Sequence, residues 1–126
     1  MGLAFRWISR FLAGLRPEML PVDGSRLSRL GPGAWVADRE VSYSGCHSLP
    51  LRMVVVRDSA ENLTLYSPVA LDDGTREALA GLGEVTRLVA PNRFHTLYVG
   101  RAMDLYPKAQ LLLPESNAGL AVRFAD

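Results

Sequence analysis

Cysteine and histidine are scarce in this chain. Its 126 residues contain one cysteine, Cys46, and two histidines, His47 and His95. A single cysteine excludes an intrachain disulfide, and no Cys-x-x-Cys or Cys/His cluster of a structural zinc site is present. Chains without disulfides are typical of a reducing compartment, so we expect a cytoplasmic protein. With so few histidines, a dinuclear metal site within one copy is not expected.

A strong charge imbalance and long apolar runs are also missing. The net charge of +1 gives no basic surface of the kind that binds nucleic acid, so no nucleic-acid partner is expected. No apolar run is long enough to cross a bilayer. The hydrophobic content of 48% and the length are those of one globular domain. We therefore expect residues 1–30 to form a helix and linker, and residues 31–126 to form the domain.

The first sixteen residues contain three arginines and no acidic residue. On a helical wheel the apolar side chains share one broad sector, opposite Arg6, Arg10 and Arg16, which predicts an amphipathic helix. Such a helix suits docking on the protein's own sheet or on a partner, peripheral contact with a membrane surface, or an organellar transit peptide. The apolar sector consists of Leu3, Phe5, Trp7, Ile8, Phe11, Leu12 and Leu15.

The rest of the chain alternates between strand and helix patterns. Pro17 ends the first helix, and the Pro- and Gly-containing stretch to Gly33 predicts a linker. Residues 35–43 alternate as a half-buried strand near a sheet edge, and residues 51–56 and 63–66 form a hairpin. A helix over 75–82, a strand over 85–90, a helix over 96–106 and a strand over 111–113 follow. This order predicts an α/β, or α+β layered, fold with a mixed sheet.

Three strands have consecutive apolar residues, which predicts burial on both faces of the sheet. They lie at residues 53–56, 88–89 and 111–113. Two short helices cover one face only, so the other face needs the first helix, a partner protein or another copy of the chain. We therefore expect self-association or a partner that covers this face.

The strand at 85–90 leads into a polar turn that contains His95. Side chains at the carboxyl edge of such a sheet commonly bind ligands, so His95 is a candidate catalytic residue or metal ligand. Asn92 and Arg93 in the same turn are candidate substrate-binding residues. The alternative interpretation is structural, with Asn92 capping the following helix, His95 hydrogen-bonded nearby and Arg93 solvated.

Other chemical motifs have simpler explanations. Asp72 and Asp73 fit the cap and first turn of a helix better than a catalytic carboxylate pair. Neighbours on a strand point to opposite faces, so Cys46 and His47 are not expected to act together. Ser67 lacks the Gly-x-Ser-x-Gly elbow of serine hydrolases.

Several segments together resemble a poorly characterised family of metallo-β-lactamase-like proteins. They are residues 52–57, 65–71 and 88–95, with similar residues at 106–109 and 120–126 and an opening strand at Trp35-Val36. The resemblance implies half of an αββα sandwich, with helices on one face of a mixed sheet, and an ancestry among metal-dependent hydrolases.

The resemblance also implies a metal motif, His-x-His-x-Asp-His, that this chain has lost. When its last histidine is placed on His95, the other ligand positions fall on Ala90, Asn92 and Phe94. Alanine and phenylalanine do not ligate metals, and asparagine is a poor zinc ligand. The chain resembles only the first half of the fold, so we expect it to lack the ligands that the second half would supply. We therefore expect no cofactor, or at most one divalent zinc, iron or manganese ion.

Three functional hypotheses follow. The first is a half-domain of hydrolase ancestry without an intact metal site or independent activity. The second is a divergent hydrolase that uses His95 with Asn92, in a mononuclear or inter-subunit site. The third is a peripheral membrane or partner-docking module that acts through residues 3–15.

Overall fold

The protein is described from a computed structural model that covers residues 18–20, 27–43, 47–91 and 98–114. Several predictions lie outside these residues. They are the amphipathic helix at 3–15, Cys46, the turn with Asn92, Arg93 and His95, and the closing segment at 120–126. No helix in the described ranges is long and apolar enough to cross a membrane.

The described residues form one mixed sheet and two helices. The strands are β1 (Glu18–Leu20), β2 (Ser28–Gly31), β3 (Ala34–Tyr43), β4 (His47–Arg57), β5 (Asn62–Tyr66), β6 (Glu84–Val89) and β7 (Gln110–Leu112), and the helices are α1 (Asp73–Leu82) and α2 (Val99–Leu105). The order in the sheet is β1-β3-β4-β5-β6-β7, with β2 also paired to β3. Pairing is antiparallel from β1 to β5 and parallel from β5 to β7.

Parallel strands need a crossover connection, and each parallel pair here is joined by one helix. The helix α1 connects β5 to β6, and α2 connects β6 to β7. Leu79 of α1 and Ala102 of α2 pack against the same face of the sheet as Met53 and Leu65. The predicted fold class, a mixed sheet with helices on one face, is therefore confirmed.

The hairpin and the first helix have the local structure that their sequences predict. Asp58 begins the turn between β4 and β5, and its Oδ1 accepts 2.9 Å hydrogen bonds from the backbone N–H groups of Ala60 and Asn62. Asp72 is the N-cap of α1, since its Oδ1 accepts a 2.7 Å hydrogen bond from the Thr75 N–H. Both aspartates satisfy backbone donors that would otherwise lack partners.

Gly83 ends α1 as predicted, but for a different reason. A left-handed conformation was expected, whereas φ and ψ are 159° and −165°. A side chain is excluded here because a Cβ on Gly83 would collide with the backbone carbonyl of Glu61. The Glu84 N–H donates a 3.2 Å hydrogen bond to that carbonyl, so the start of β6 lies directly against the hairpin turn.

Three boundaries differ from the prediction. The stretch expected to be a linker contributes two short strands, β1 and β2, both paired to β3. The strand β4 begins at His47, four residues before the expected start at 51. The helix α2 begins at Val99 and ends at Leu105, which is shorter than the predicted helix at 96–106. The strand β3 lies second from the sheet edge, as predicted.

The predicted burial on both faces of the sheet is wrong at Val56 and Leu112, which are 40% and 39% exposed. Met53 and Val55 are fully buried beneath the helices, but their neighbour Val56 is 40% exposed. We call the side of the sheet that carries Val54 and Val56 the open face. Within the described residues no helix packs against this face. The helices therefore cover only one of the two apolar faces of β4.

Candidate functional site

The carboxyl ends of the three parallel strands lie side by side. The strands β5, β6 and β7 end at Tyr66, Val89 and Leu112, which are paired in register. The hydrogen-bonded ladder continues one residue further, since the Ser67 N–H donates to the Val89 carbonyl at 2.8 Å and the Ala90 N–H donates to the Leu112 carbonyl at 3.1 Å. This is the edge at which the sequence predicts a site.

The predicted site residues are reached from this edge. Ala90 and Pro91 follow β6, the middle strand of the three, and the chain then enters residues 92–97. Asn92, Arg93 and His95 belong to that segment, outside the described residues. Their roles as substrate-binding residues, catalytic group or metal ligand therefore stay predictions.

Ser67 has an unusual backbone conformation at the same edge. Its φ is 56°, in the left-handed region that non-glycine residues adopt uncommonly. The left-handed residue turns the chain away from β5 toward the loop at 67–72. Val69 in this loop is almost fully buried and belongs to the core cluster. The loop is therefore packed against the domain and delivers Asp72 to the start of α1.

A buried arginine lies near the start of α1. Arg39 of β3 is only 4% exposed, and its Nη2 donates a 2.7 Å hydrogen bond to Thr75 Oγ1. Its Nη1 donates a further hydrogen bond of 2.9 Å to the Asp38 carbonyl. Thr75 is fully buried and its N–H is held by Asp72. The four groups fix the first turn of α1 against β3.

Arg39 was missed in the sequence analysis, although its position contained a signal. It falls on the same alternate positions of β3 as Trp35, Ala37 and Val41, all of which are buried. Alternation in a strand places such a residue on the core side. An arginine at a core position needs hydrogen-bond partners, and Thr75 and the Asp38 carbonyl supply two of them.

A second arginine pairs with a carboxylate on the open face. Arg52 donates two hydrogen bonds to Asp38, Nε to Oδ1 at 2.6 Å and Nη2 to Oδ2 at 2.9 Å. The hydrogen bond from Arg52 lowers the pKa of the Asp38 carboxyl, and Asp38 in turn raises the pKa of Arg52. Both side chains are about half exposed. The two residues thus form a solvent-exposed ion pair that links β3 to β4.

An open groove of about 470 Å³ lies at the amino-terminal ends of the parallel strands. It runs between α1 and the turn before β7, and its floor includes Val85 at the start of β6. Tyr106 lines it, and burial raises the pKa of its phenol. The groove therefore lies at the opposite end of the strands from the carboxyl edge that leads to His95.

The metal implied by the resemblance finds no ligand set among the described side chains. The described residues contain no group of three or more His, Cys, Asp or Glu side chains able to hold a metal ion. Ala90, directly after β6, is fully buried and has only a methyl side chain. No lone pair is available on this side chain, so residue 90 cannot ligate a metal.

The arrangement of strands and helices matches solved structures. DIM-1 metallo-β-lactamase exposed to ceftazidime superposes with a TM-score of 0.62, at 12% identity, over 85% of this chain. The fold is that of part of a metallo-β-lactamase domain. The metallo-β-lactamase of Hirschia baltica gives a TM-score of 0.59 at 11% identity over 80% of this chain. That of Pontibacter korlensis gives 0.57 at 16% identity over 81%.

The match covers only part of each metallo-β-lactamase structure. The chain spans about half the length of these structures, namely 50%, 48% and 49% of them. At such low identities the likeness establishes the fold and not the chemistry. No protein-family model and no curated protein sequence matches the chain.

Proposed function

We propose that this protein is a metallo-β-lactamase-fold half-domain of hydrolase ancestry that lacks an intact metal site and has no hydrolase activity of its own. The observation that carries the proposal is Ala90. It directly follows β6, at the carboxyl edge of the parallel strands, and its methyl group is fully buried. A metal ligand needs a lone pair, which this side chain does not have.

The residues after Ala90 support the same proposal. With the resemblance as a guide, the remaining ligand positions fall on Asn92, Phe94 and His95. Phenylalanine offers no donor atom, and the amide of Asn92 is a weak ligand for zinc. His95 is then the single good ligand in the motif. One imidazole does not hold a zinc, iron or manganese ion tightly enough for catalysis.

A divergent hydrolase is the second candidate. The observation in its favour is that the chain reaches Pro91 at the carboxyl edge directly after β6. Phe94 and His95 follow three and four residues later in the sequence. A histidine there could act as a general base, with Asn92 orienting the substrate. The site would be mononuclear or would borrow a ligand from a second copy.

An activity assay with the 126-residue chain distinguishes the two candidates. The protein is purified without a metal-binding tag and incubated with zinc, manganese or ferrous iron against ester, lactone, phosphodiester and β-lactam substrates. The half-domain proposal predicts turnover no faster than with the metal alone. Metal-dependent turnover that is lost in His95→Ala, but kept in the exposed-surface control Arg101→Gln, would overturn it in favour of the divergent hydrolase.

The remaining functional expectations belong to this proposal as well. We propose a cytoplasmic location, which the scarcity of cysteine in the sequence supports. The membrane or partner-docking hypothesis for residues 3–15 stays a prediction, because that segment lies outside the described residues. Binding to anionic lipid vesicles that is reversed by Arg6→Glu with Arg10→Glu would support its electrostatic form.

A further inference from the structure

The groove at the amino-terminal ends of the parallel strands has an apolar floor. Leu79 of α1, Val85 of β6 and Leu105 of α2 line it, and the first two are buried. Its volume of about 470 Å³ lies within the range of small-molecule sites, roughly 300 to 1,000 Å³. Such sites are mainly apolar, with a few polar groups that orient the ligand. The floor therefore suits the apolar part of a small molecule.

Three side chains that donate hydrogen bonds line the same groove. They are the Arg76 guanidinium from α1 and, from the turn between α2 and β7, the Tyr106 phenol and the Lys108 ammonium. A hydrogen bond of 3.0 Å from the Ala109 N–H to the Tyr106 carbonyl closes this turn. The guanidinium and the ammonium therefore place a positive charge on each wall of the groove.

The Tyr106 phenol contacts Arg76 in a way that leaves its proton available. Burial raises the pKa of the phenol, and the Arg76 charge and a hydrogen bond from Arg76 oppose that shift. Because a guanidinium only donates, the phenol oxygen is the acceptor in this hydrogen bond. The phenol O–H can then donate to another acceptor. An anion beside Arg76 would accept hydrogen bonds from both groups.

Little negative charge competes for the two cations. Arg76 has an exposed partner, Asp73, at 3.8 Å, and an exposed pair of this kind interacts weakly. Lys108 has no ion-pair partner among the described residues. Glu84 also lines the groove, but alternation along β6 directs its side chain away from the face that carries Val85.

The end of α1 beside the groove does not favour a cation. The carboxyl end of a helix carries a partial negative charge on its free carbonyls, but here those carbonyls have partners. The Leu79 carbonyl accepts a 3.1 Å hydrogen bond from the Gly83 N–H. The Leu82 carbonyl accepts one of 3.2 Å from Arg57 Nη1, which also brings a positive charge to this helix end. The charges around the groove therefore select an anion.

We propose that this groove binds a small organic acid, with its apolar body on the groove floor and its carboxylate between Arg76, Tyr106 and Lys108. The planar guanidinium matches the geometry of a carboxylate, and hydrogen bonds between charged groups are stronger than neutral ones. The apolar floor favours an organic acid over an inorganic anion. The site lies at the opposite end of the strands from the carboxyl edge, so it is separate from the site of the proposed hydrolase ancestor.

The test is a titration of the ¹⁵N-labelled 126-residue chain with 3-phenylpropionate, followed by the amide chemical shifts in NMR spectra. This probe has one ring and one carboxylate, and its neutral amide is the matched control ligand. We expect saturable shifts at Val85 and Ala109 in the groove, with a Kd of about 1 mM or below, as is usual for so small a ligand. The neutral amide should bind about 10-fold more weakly.

Four variants test the assigned side chains. Arg76→Gln should weaken binding of the probe by about 10-fold, and Lys108→Gln by about 5-fold. Tyr106→Phe keeps the ring but removes the O–H, and should weaken binding by about 3-fold. Arg101→Gln is the control, because it removes an exposed positive charge of α2 outside the groove and should leave the Kd unchanged.

Circular dichroism of each variant verifies that it is folded. The proposal is overturned if the probe produces no saturable shift up to about 20 mM, whatever else occupies the groove. It is also overturned if the neutral amide binds as tightly as the acid, or if folded Arg76→Gln and Lys108→Gln bind the probe as tightly as the wild type. None of these results depends on a metal or on hydrolase activity, so this proposal and the proposed function fail separately.

Discussion

The Arg39 guanidinium and the Thr75 hydroxyl form a buried hydrogen bond of 2.7 Å between residues 36 positions apart. It joins the middle of β3 to the first turn of α1, the helix that begins next to the carboxyl edge of the parallel strands. The contact therefore fixes where α1 starts relative to the edge that leads into residues 92–97.

We expect Thr75→Val to destabilise the fold. The variant keeps the volume and the backbone N–H that Asp72 accepts, but removes the oxygen that receives the Arg39 hydrogen bond. A hydrogen bond to a charged group contributes about 1.5 to 3 kcal/mol, and a buried donor left unsatisfied is costly. Urea unfolding followed by circular dichroism measures the loss.

The control for Thr75→Val is Thr64→Val, a half-buried threonine on β5. It should change the free energy of unfolding by less than about 0.5 kcal/mol. Equal effects of the two variants would show that the Arg39–Thr75 hydrogen bond contributes nothing specific to stability.

The two glycines near the end of α1 should respond to alanine in opposite directions. At Gly83 a Cβ meets the Glu61 carbonyl, a backbone group that cannot rotate away. We expect Gly83→Ala to cost about 2 kcal/mol or more. At Gly81 there is open space, so Gly81→Ala should stabilise the helix by about 0.5 to 1 kcal/mol. Thermal unfolding of both variants gives the sign of each change in stability. A Gly83→Ala protein as stable as the wild type would contradict the packing of β6 against the hairpin turn.

Asp58 should contribute to acid unfolding. Hydrogen bonds from the Asn62 and Ala60 backbone N–H groups hold the pKa of its carboxyl below the ordinary value of 3.8. A lowered pKa in the folded state means that the stabilisation is complete above that ordinary value and is lost as the pH falls through the folded pKa. Asp58→Asn should therefore flatten the fall in stability below about pH 4.

Unfolding by urea at a series of pH values measures this dependence. Glu77→Gln, which removes an exposed carboxylate from α1, controls for the loss of one negative charge. If Asp58→Asn and wild type lose stability in parallel as the pH falls, then Asp58 is not held by these hydrogen bonds.

Local signals predicted much of the fold. The hairpin at Asp58 and the cap at Asp72 each depend on residues that are close in sequence. The helix end at Gly83 was predicted from the local pattern, although the contact that requires a glycine there is with Glu61, which is distant in sequence. The strands β1 and β2 were not predicted, because three or four residues carry little periodicity of their own. They are strands because β3 offers them a long edge, and that edge is distant in sequence.

The candidate site was predicted only in part. Hydrophobic periodicity locates β6, and the direction of β6 brings residue 91 to the carboxyl edge, as the structure has it. Periodicity does not state which partners a buried polar residue finds, so the Arg39–Thr75 contact was missed. Periodicity also predicts that both faces of β4 are buried, but it does not identify the element that would bury the second face. Val56 on that face is exposed.

The metal content of the purified 126-residue chain tests the central claim most directly. Inductively coupled plasma mass spectrometry is run on untagged protein, with His95→Ala in parallel. The account predicts far less than one zinc, iron or manganese ion per chain, and no difference between the two proteins. A stoichiometric metal ion that is lost in His95→Ala would contradict it and would show that His95 ligates a metal.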